Sequence, residues 1–180
     1  MMCRKVVLRL VRIIVSVALV SASAQTVQQL PKIEGETFAG RHVVFPDTTS
    51  GNITVLVLGF TKASKTPTSE WARKLSADFG SRPGFELYQL PVLEDVPRLL
   101  RGMVISGIKK GVADNNRDRF VPILQGEAEL KKVVNYHEPD DAYLIMLDGT
   151  GRIVQQTHGS LIDSNYSPLF AKIQSLLGQK

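Results

Sequence analysis

Residues 52–79 read NITVLVLGFTKASKTPTSEWARKLSADF. The first part, Ile53-Thr54-Val55-Leu56-Val57-Leu58, is a short apolar run rich in β-branched side chains. A strand covered on both faces has this composition. Thr66 is placed to cap a helix, with Pro67 at its first position, where a missing N–H costs nothing. Trp71, Leu75 and Phe79 recur every fourth residue, and Gly80 offers a stop. The stretch therefore predicts a buried strand feeding a loop at the start of an amphipathic helix. Many α/β proteins place their chemistry there. The loop itself, Gly59-Phe60-Thr61-Lys62-Ala63-Ser64-Lys65-Thr66-Pro67-Thr68, carries lysines, hydroxyls and a proline, and no cysteine.

The chain of 180 residues suffices for one ordinary domain whose core needs no staple. Residues 1–24 read as an export signal peptide. Arg4 and Lys5 precede an apolar segment, residues 6–20, and Ala22-Ser23-Ala24 supplies a small-residue cleavage site. Arg9 and Arg12 interrupt that segment, so an uncleaved anchor is the alternative. The clean part, residues 13–20, is shorter than the roughly 20 apolar residues a span wants. Four of the 22 Lys and Arg lie in this leader and no acid does, leaving 18 basic groups against 17 acidic ones. The net charge of +5 is thus largely the leader's, and it argues for no nucleic-acid partner. The single cysteine, Cys3, lies there too. Once the leader is removed, the chain can form no disulfide and perform no thiol chemistry. The expected location is periplasmic or extracellular, with membrane proximity through the N-terminal segment if it stays attached.

Residues 25–36 are polar and read as a linker to a single domain over 37–180. Strand character recurs at 38–46, 85–90, 120–124 and 142–147. Asp95 can cap a helix whose Val96, Leu99, Leu100, Met103, Val104 and Ile108 form a stripe, with Arg98, Arg101, Lys109 and Lys110 elsewhere on its surface. Gly102 and Gly107 weaken that helix by roughly 1 kcal/mol each, which suggests close packing there. A short helix follows at 127–134. Asp148-Gly149-Thr150-Gly151 turns the chain into a hairpin arm at 152–157. Ser167 and Pro168 open a last helix with Leu169, Phe170, Ile173, Leu176 and Leu177 on one face. Strands separated by helices imply parallel crossovers, and the late hairpin adds an antiparallel edge. The expected fold is α/β, a central mixed sheet flanked by helices.

This order resembles the thioredoxin-like fold over residues 38–177, in its larger form with an N-terminal strand extension and an insert before the C-terminal hairpin. Two branches give more specific echoes. Gly59-Phe60-Thr61 resembles the start of the copper-site loop in SCO-type cytochrome oxidase assembly proteins. Residues 99–159 resemble the mitochondrial ATP synthase assembly factors of the ATPase-complex ten family: a basic-apolar helix, Arg119-Phe120-Val121-Pro122, a short helix, and Tyr143-Leu144 entering the hairpin. The thioredoxin resemblance implies two cysteines flanking the helix start, and those positions fall here at Lys65 and Thr68, framing Thr66 and Pro67. In the copper-site alignment they fall at Ala63 and Pro67. Neither register supplies sulfur, so thiol exchange and soft Cu(I) ligation are both lost. The copper family's histidine falls near Asp140, with His137 three residues away. Asp140-Asp141-Ala142 stands where thioredoxins keep a cis-proline.

Thr61, Ser64, Thr66, Thr68 and Ser69 beside Lys62 and Lys65 invite comparison with an anion pocket at a helix N-terminus. Capping plus solvated loop residues is the plainer account. His42, His137 and His158 have no metal-site spacing, although Glu138 and Asp140 beside His137 are candidates for a hard-metal site. Trp71 reads as core, and the basic groups from 98 to 119 as an exposed face or a partner or membrane patch. The functional expectation is an exported, non-catalytic thioredoxin-like protein acting through protein contacts, as an assembly factor or chaperone, with no cofactor. Lys65, Thr66, Pro67 and Thr68 would then lie on its docking surface. The alternative is an enzyme of another class with a metal- or anion-binding site at the helix-start loop. Copper delivery ranks third.

Overall fold

The apolar run of residues 53–58 becomes an inner strand of the sheet. A computed structural model describes residues 29–178, so the segment read as a signal peptide, with Cys3, falls outside the described residues. The strands are β1 (Ile33–Glu36), β2 (His42–Phe45), β3 (Ile53–Gly59), β4 (Phe85–Pro91), β5 (Ala142–Leu147) and β6 (Ile153–His158). The helices are α1 (Lys65–Phe79), α2 (Arg98–Lys110), α3 (Glu127–Val133) and α4 (Asp163–Leu177). β1 and β2 pair as an antiparallel hairpin; the main sheet runs β4-β3-β5-β6, parallel between β3 and β4 and antiparallel elsewhere.

β3 is buried from Ile53 to Leu58 and β5 along its whole length. One sheet face, Val55, Val57, Leu144 and Met146, lies under Trp71, Leu75 and Phe79 of α1 and Leu169 and Ile173 of α4. The other face, Leu56, Leu58, Ile145 and Leu147, lies under the β1–β2 hairpin, Val121 and Ile123, and Leu130 of α3. Each such side chain contributes about 1.5–3 kcal/mol by leaving water. Residues 120–124 run beside β4 through parallel bridges at Gln89–Phe120 and Val92–Ile123.

Several sequence expectations shift. The linker reading fails for Ile33–Glu36, which pair residue by residue with β2. Leu30 just before them is buried. β2 is shorter than expected, because Gly40 at φ +91° turns the chain between the two arms. Thr66 is not the cap of α1, and Pro67 is its third residue, not its first. Ser64 is the N-cap, and its carbonyl accepts the Thr68 amide at 3.0 Å. Pro67 remains within the first turn, where no intrahelical donor is required. Pro168 does not open α4 but is its sixth residue; burial of Tyr166 against Trp71 carries the helix back to Asp163. Asp95 does not cap α2, whose N-cap is Pro97; its carboxylate meets Lys131 at 3.3 Å instead. The stripe on α2 is not a core face, since no residue of that helix is buried. Nothing lies within 4 Å of a Cβ built on Gly102 or Gly107, so no close packing explains those glycines.

Helices α1 and α4 are also tied at Asp78, which takes Lys74 Nζ at 2.7 Å and the Tyr166 hydroxyl. The Lys74 bond first and the Tyr166 bond second hold the Asp78 carboxyl below its ordinary range. A lowered carboxylate contributes stability above its unfolded pKa, and that contribution fades as pH falls through the folded value. Stability measured by urea unfolding is therefore expected to drop on acidification below the ordinary carboxylate range. Asp78→Asn should flatten that acid limb; an unchanged profile would refute the link.

Candidate functional site

β3 delivers its last residue, Gly59, to the sheet edge where α1 begins. A Cβ on Gly59 would stand 2.6 Å from Ser64 Oγ, so a side chain here would displace the loop. Ser64 is 1% exposed. Its hydroxyl donates to the Thr61 carbonyl at 2.8 Å, and its amide donates to Thr61 Oγ1 at 3.2 Å. Thr61 Oγ1 in turn donates to Asp140 Oδ1 at 2.9 Å. That bond joins the helix-start loop to the segment before β5, across 79 residues of sequence. Thr68 Oγ1 lies 2.8 Å from the Ser64 carbonyl and 3.0 Å from that of Lys65. The hydroxyls of Ser64 and Thr68 are thus spent on carbonyls of the loop and first helical turn, and that of Thr61 on Asp140, while none of them caps α1 through its side chain. Lys62, Lys65 and Thr66 are exposed, while Pro67 and Thr68 are half-buried.

Beside the loop lies a group of rings that sequence spacing does not bring together. Phe60 meets Tyr136 at 4.8 Å and Tyr143 at 5.6 Å between ring centroids. The His158 ring stacks on Tyr143 at 5.5 Å, and His137 stands edge-on to His158 at 4.5 Å. Lys131 Nζ lies 4.9 Å over the Tyr136 ring, a cation–π geometry. His137 Nδ1 lies 2.6 Å from the Asn135 carbonyl, and His158 Nδ1 lies 2.8 Å from Asp141 Oδ2. His42 sits apart, on β2. Among the described residues no group of three or more His, Cys, Asp or Glu is placed to hold a metal ion.

Tyr143 positions this segment. It is 1% exposed, and its hydroxyl accepts the amides of His137 at 3.1 Å and Glu138 at 2.9 Å while donating to the Glu138 carbonyl at 3.0 Å. Removing the hydroxyl leaves two amides without their acceptor, at a cost of about 1–3 kcal/mol. Tyr143→Phe is therefore expected to speed hydrogen exchange at the His137 and Glu138 amides well beyond that of β3. Unchanged protection at those two amides would contradict this role.

On the opposite sheet face, Trp71 Nε1 donates to the Gly159 carbonyl at 2.9 Å. The pairing of His137 with His158 depends on the hairpin register, Tyr143 opposite His158, with a bulge between Met146 and Leu147. The turn Asp148-Gly149-Thr150-Gly151 marks the hairpin in the sequence; the bulge leaves no comparable mark.

No family model matches the chain, and no curated protein matches it closely. Solved structures do. An exposed lipoprotein thioredoxin (Etrx1) from Streptococcus pneumoniae is 11% identical at a TM-score of 0.55, over 81% of this chain and 100% of its own. BsSco, described as a member of the Sco family of cytochrome c oxidase assembly proteins, is 10% identical at 0.58, over 86% and 96%. An uncharacterized conserved protein from Geobacillus kaustophilus is 16% identical at 0.61, over 86% and 82%. The chain has the thioredoxin-like fold. Its helix-start loop occupies the place where the thioredoxin resemblance implies cysteines, and carries lysine, threonine and proline instead.

Proposed function

We propose that this protein is an exported, non-catalytic thioredoxin-like protein that works by binding a protein partner, as an assembly factor or chaperone. The observation that carries the reading is the state of the helix-start loop. Its architecture is kept by the Gly59–Ser64 contact and the Thr61–Asp140 bond, while the only cysteine in the chain is Cys3, in the leader. A fold that retains its shaped surface without a sulfur nucleophile is suited to contact, and not to thiol exchange. The resemblance of residues 99–159 to the ATPase-complex ten assembly factors supports the same reading, as does the Sco protein among the structural neighbours. Lys65 and Thr66 are the exposed centre of the docking surface, with Pro67 and Thr68 behind them.

The protein purified from its native compartment should reduce insulin no faster than buffer does. A photo-crosslinker at Thr66 should trap one defined protein, while one at Lys172 on the far side of α4 should not. Robust insulin reduction without the leader cysteine, or the same adducts from both positions, would overturn the proposal.

The reading as an enzyme of another class draws on one observation, the adjacency of His137 and His158 with Asp141. It requires a stoichiometric metal after gentle purification that His137→Ala removes.

A further inference from the structure

Helix α2 is the one α-helix among the described residues that buries none of its side chains. Val104, Ile105 and Ile108 are half-buried on its inner side. There the helix stands over a cleft of about 690 Å³ against the β1 region, lined by Ile105, Lys109, Gly35 and Phe38 among others. Its outer side carries Leu99, 97% exposed, Met103, 72% exposed, and Leu100, 47% exposed. At 100° per residue Leu99, Met103 and Leu100 fall within one outer arc that also holds Lys110, while Arg98 lies about 100° beyond Leu99. Leu99 protrudes almost fully. Soluble proteins rarely leave apolar side chains in such a cluster without a use for it.

The charge on this helix is one-sided. From residue 96 to residue 113 there are four cations, Arg98, Arg101, Lys109 and Lys110, and no acid. The remainder of residues 25–180 holds 14 cations against 17 acids. Arg101 is turned back, bonding the Glu94 carbonyl at 2.6 Å and the Val96 carbonyl at 2.9 Å. Arg98 and Lys110 are exposed and remain for a ligand outside the helix, while Lys109 is half-buried and lines the inner cleft. The nearest carboxylates at its two ends already have partners, Asp95 with Lys131 and Asp114 with Arg117.

We propose that α2 docks on the surface of an anionic bilayer, with Leu99, Met103 and Leu100 entering the headgroup region and Arg98 and Lys110 meeting lipid phosphates. Charge complementarity and area select this occupant. A second copy would set one cationic helix against another, and residues 1–24 carry only cations, Arg4, Lys5, Arg9 and Arg12. A 13-residue helix is about 20 Å long. Three apolar side chains on it fall well short of the roughly 800 Å² per partner that a stable protein contact buries. A bilayer asks for less: an apolar strip flanked by Lys and Arg, and no shaped counterpart. This inference concerns a different face from the helix-start loop and stands or falls apart from the partner-binding function.

The test uses the full chain with Cys3→Ser, labelled with an environment-sensitive fluorophore through Ser106→Cys on α2, or through Ser175→Cys on α4 as the comparator. Vesicles of phosphatidylcholine alone are compared with vesicles holding about 30% phosphatidylglycerol, since two basic side chains near an anionic surface strengthen binding on the order of thirtyfold. The α2 label should shift to the blue with anionic vesicles only, and high salt should reverse the shift. Leu99→Glu with Met103→Glu should abolish it while the unfolding midpoint holds, because both side chains are exposed. Chain that reaches vesicles through its leader while the α2 label stays in water would overturn the proposal. So would an equal shift at Ser175→Cys, a shift that survives the double glutamate variant, or a shift that only an acidic protein produces.

Discussion

Trp71→Ala is expected to destabilise the protein by about 3–5 kcal/mol, the range for truncating a large buried aromatic. The indole is fully buried between α1, the sheet and Tyr166, whose ring centroid lies 6.0 Å away. Alanine would leave a cavity that the surrounding β3 and β5 side chains, held in their ladders, cannot collapse to fill. It would also strip the half-buried Gly159 carbonyl of its donor, and losing a typical hydrogen bond costs about 0.5–1.5 kcal/mol. Trp71→Phe separates the two effects, since it keeps most of the apolar volume and loses only the N–H. Urea unfolding should therefore rank the alanine variant well below the phenylalanine variant. Leu99→Ala, on the exposed arc of α2, should lie within about 0.5 kcal/mol of the unaltered protein. Equal midpoints for Trp71→Ala and Leu99→Ala would mean that Trp71 is not where the fold places it.

The second large effect is a gain. Lys65→Cys combined with Thr68→Cys should endow the chain with insulin-reducing activity where it had none. Residues three apart in the first turn of a helix are neighbours on its surface, with Cβ atoms about 5–6 Å apart, a spacing a disulfide closes with small adjustment. The amide dipoles at the start of α1 favour a thiolate on residue 65, and Lys65 is exposed to a substrate. Thr68 gives up only hydroxyl bonds to helix carbonyls. Neither single variant should act, because each lacks the second sulfur. Turnover should be slow, since Asp140 and Asp141 occupy the place where the thioredoxin resemblance implies a proline. If the oxidised double variant forms no intramolecular disulfide by intact mass after alkylation, the loop lacks the thioredoxin-type geometry. The contact-only function would then need another basis.

The core of the fold is legible in the chain because its signals are local and strong. An apolar run such as Ile53–Gly59 can be satisfied only by cover on both faces, and Trp71, Leu75 and Phe79 share a helical stripe whatever else happens. The end points of α1 and α4 were less legible, because proline at the first position of a helix is a preference and not a requirement. Buried contacts at Ser64 and Tyr166 were strong enough to draw each helix back beyond its proline. The stripe on α2 misled for a related reason: helical periodicity reports amphipathicity, and says nothing of what the apolar side will meet.

The candidate site divides along the same line. The absence of sulfur at Lys65, Thr66, Pro67 and Thr68 is a matter of residue identity and needs no coordinates. That Thr61 reaches Asp140, that Tyr143 clamps the backbone at His137 and Glu138, and that His137 meets His158 are long-range facts. The last depends on a single extra residue at the Met146–Leu147 bulge. Strand side chains alternate with a period of two, so a one-residue change of register exchanges the faces of everything beyond it. Composition can announce a hairpin, but only the packed sheet settles which histidine faces which ring.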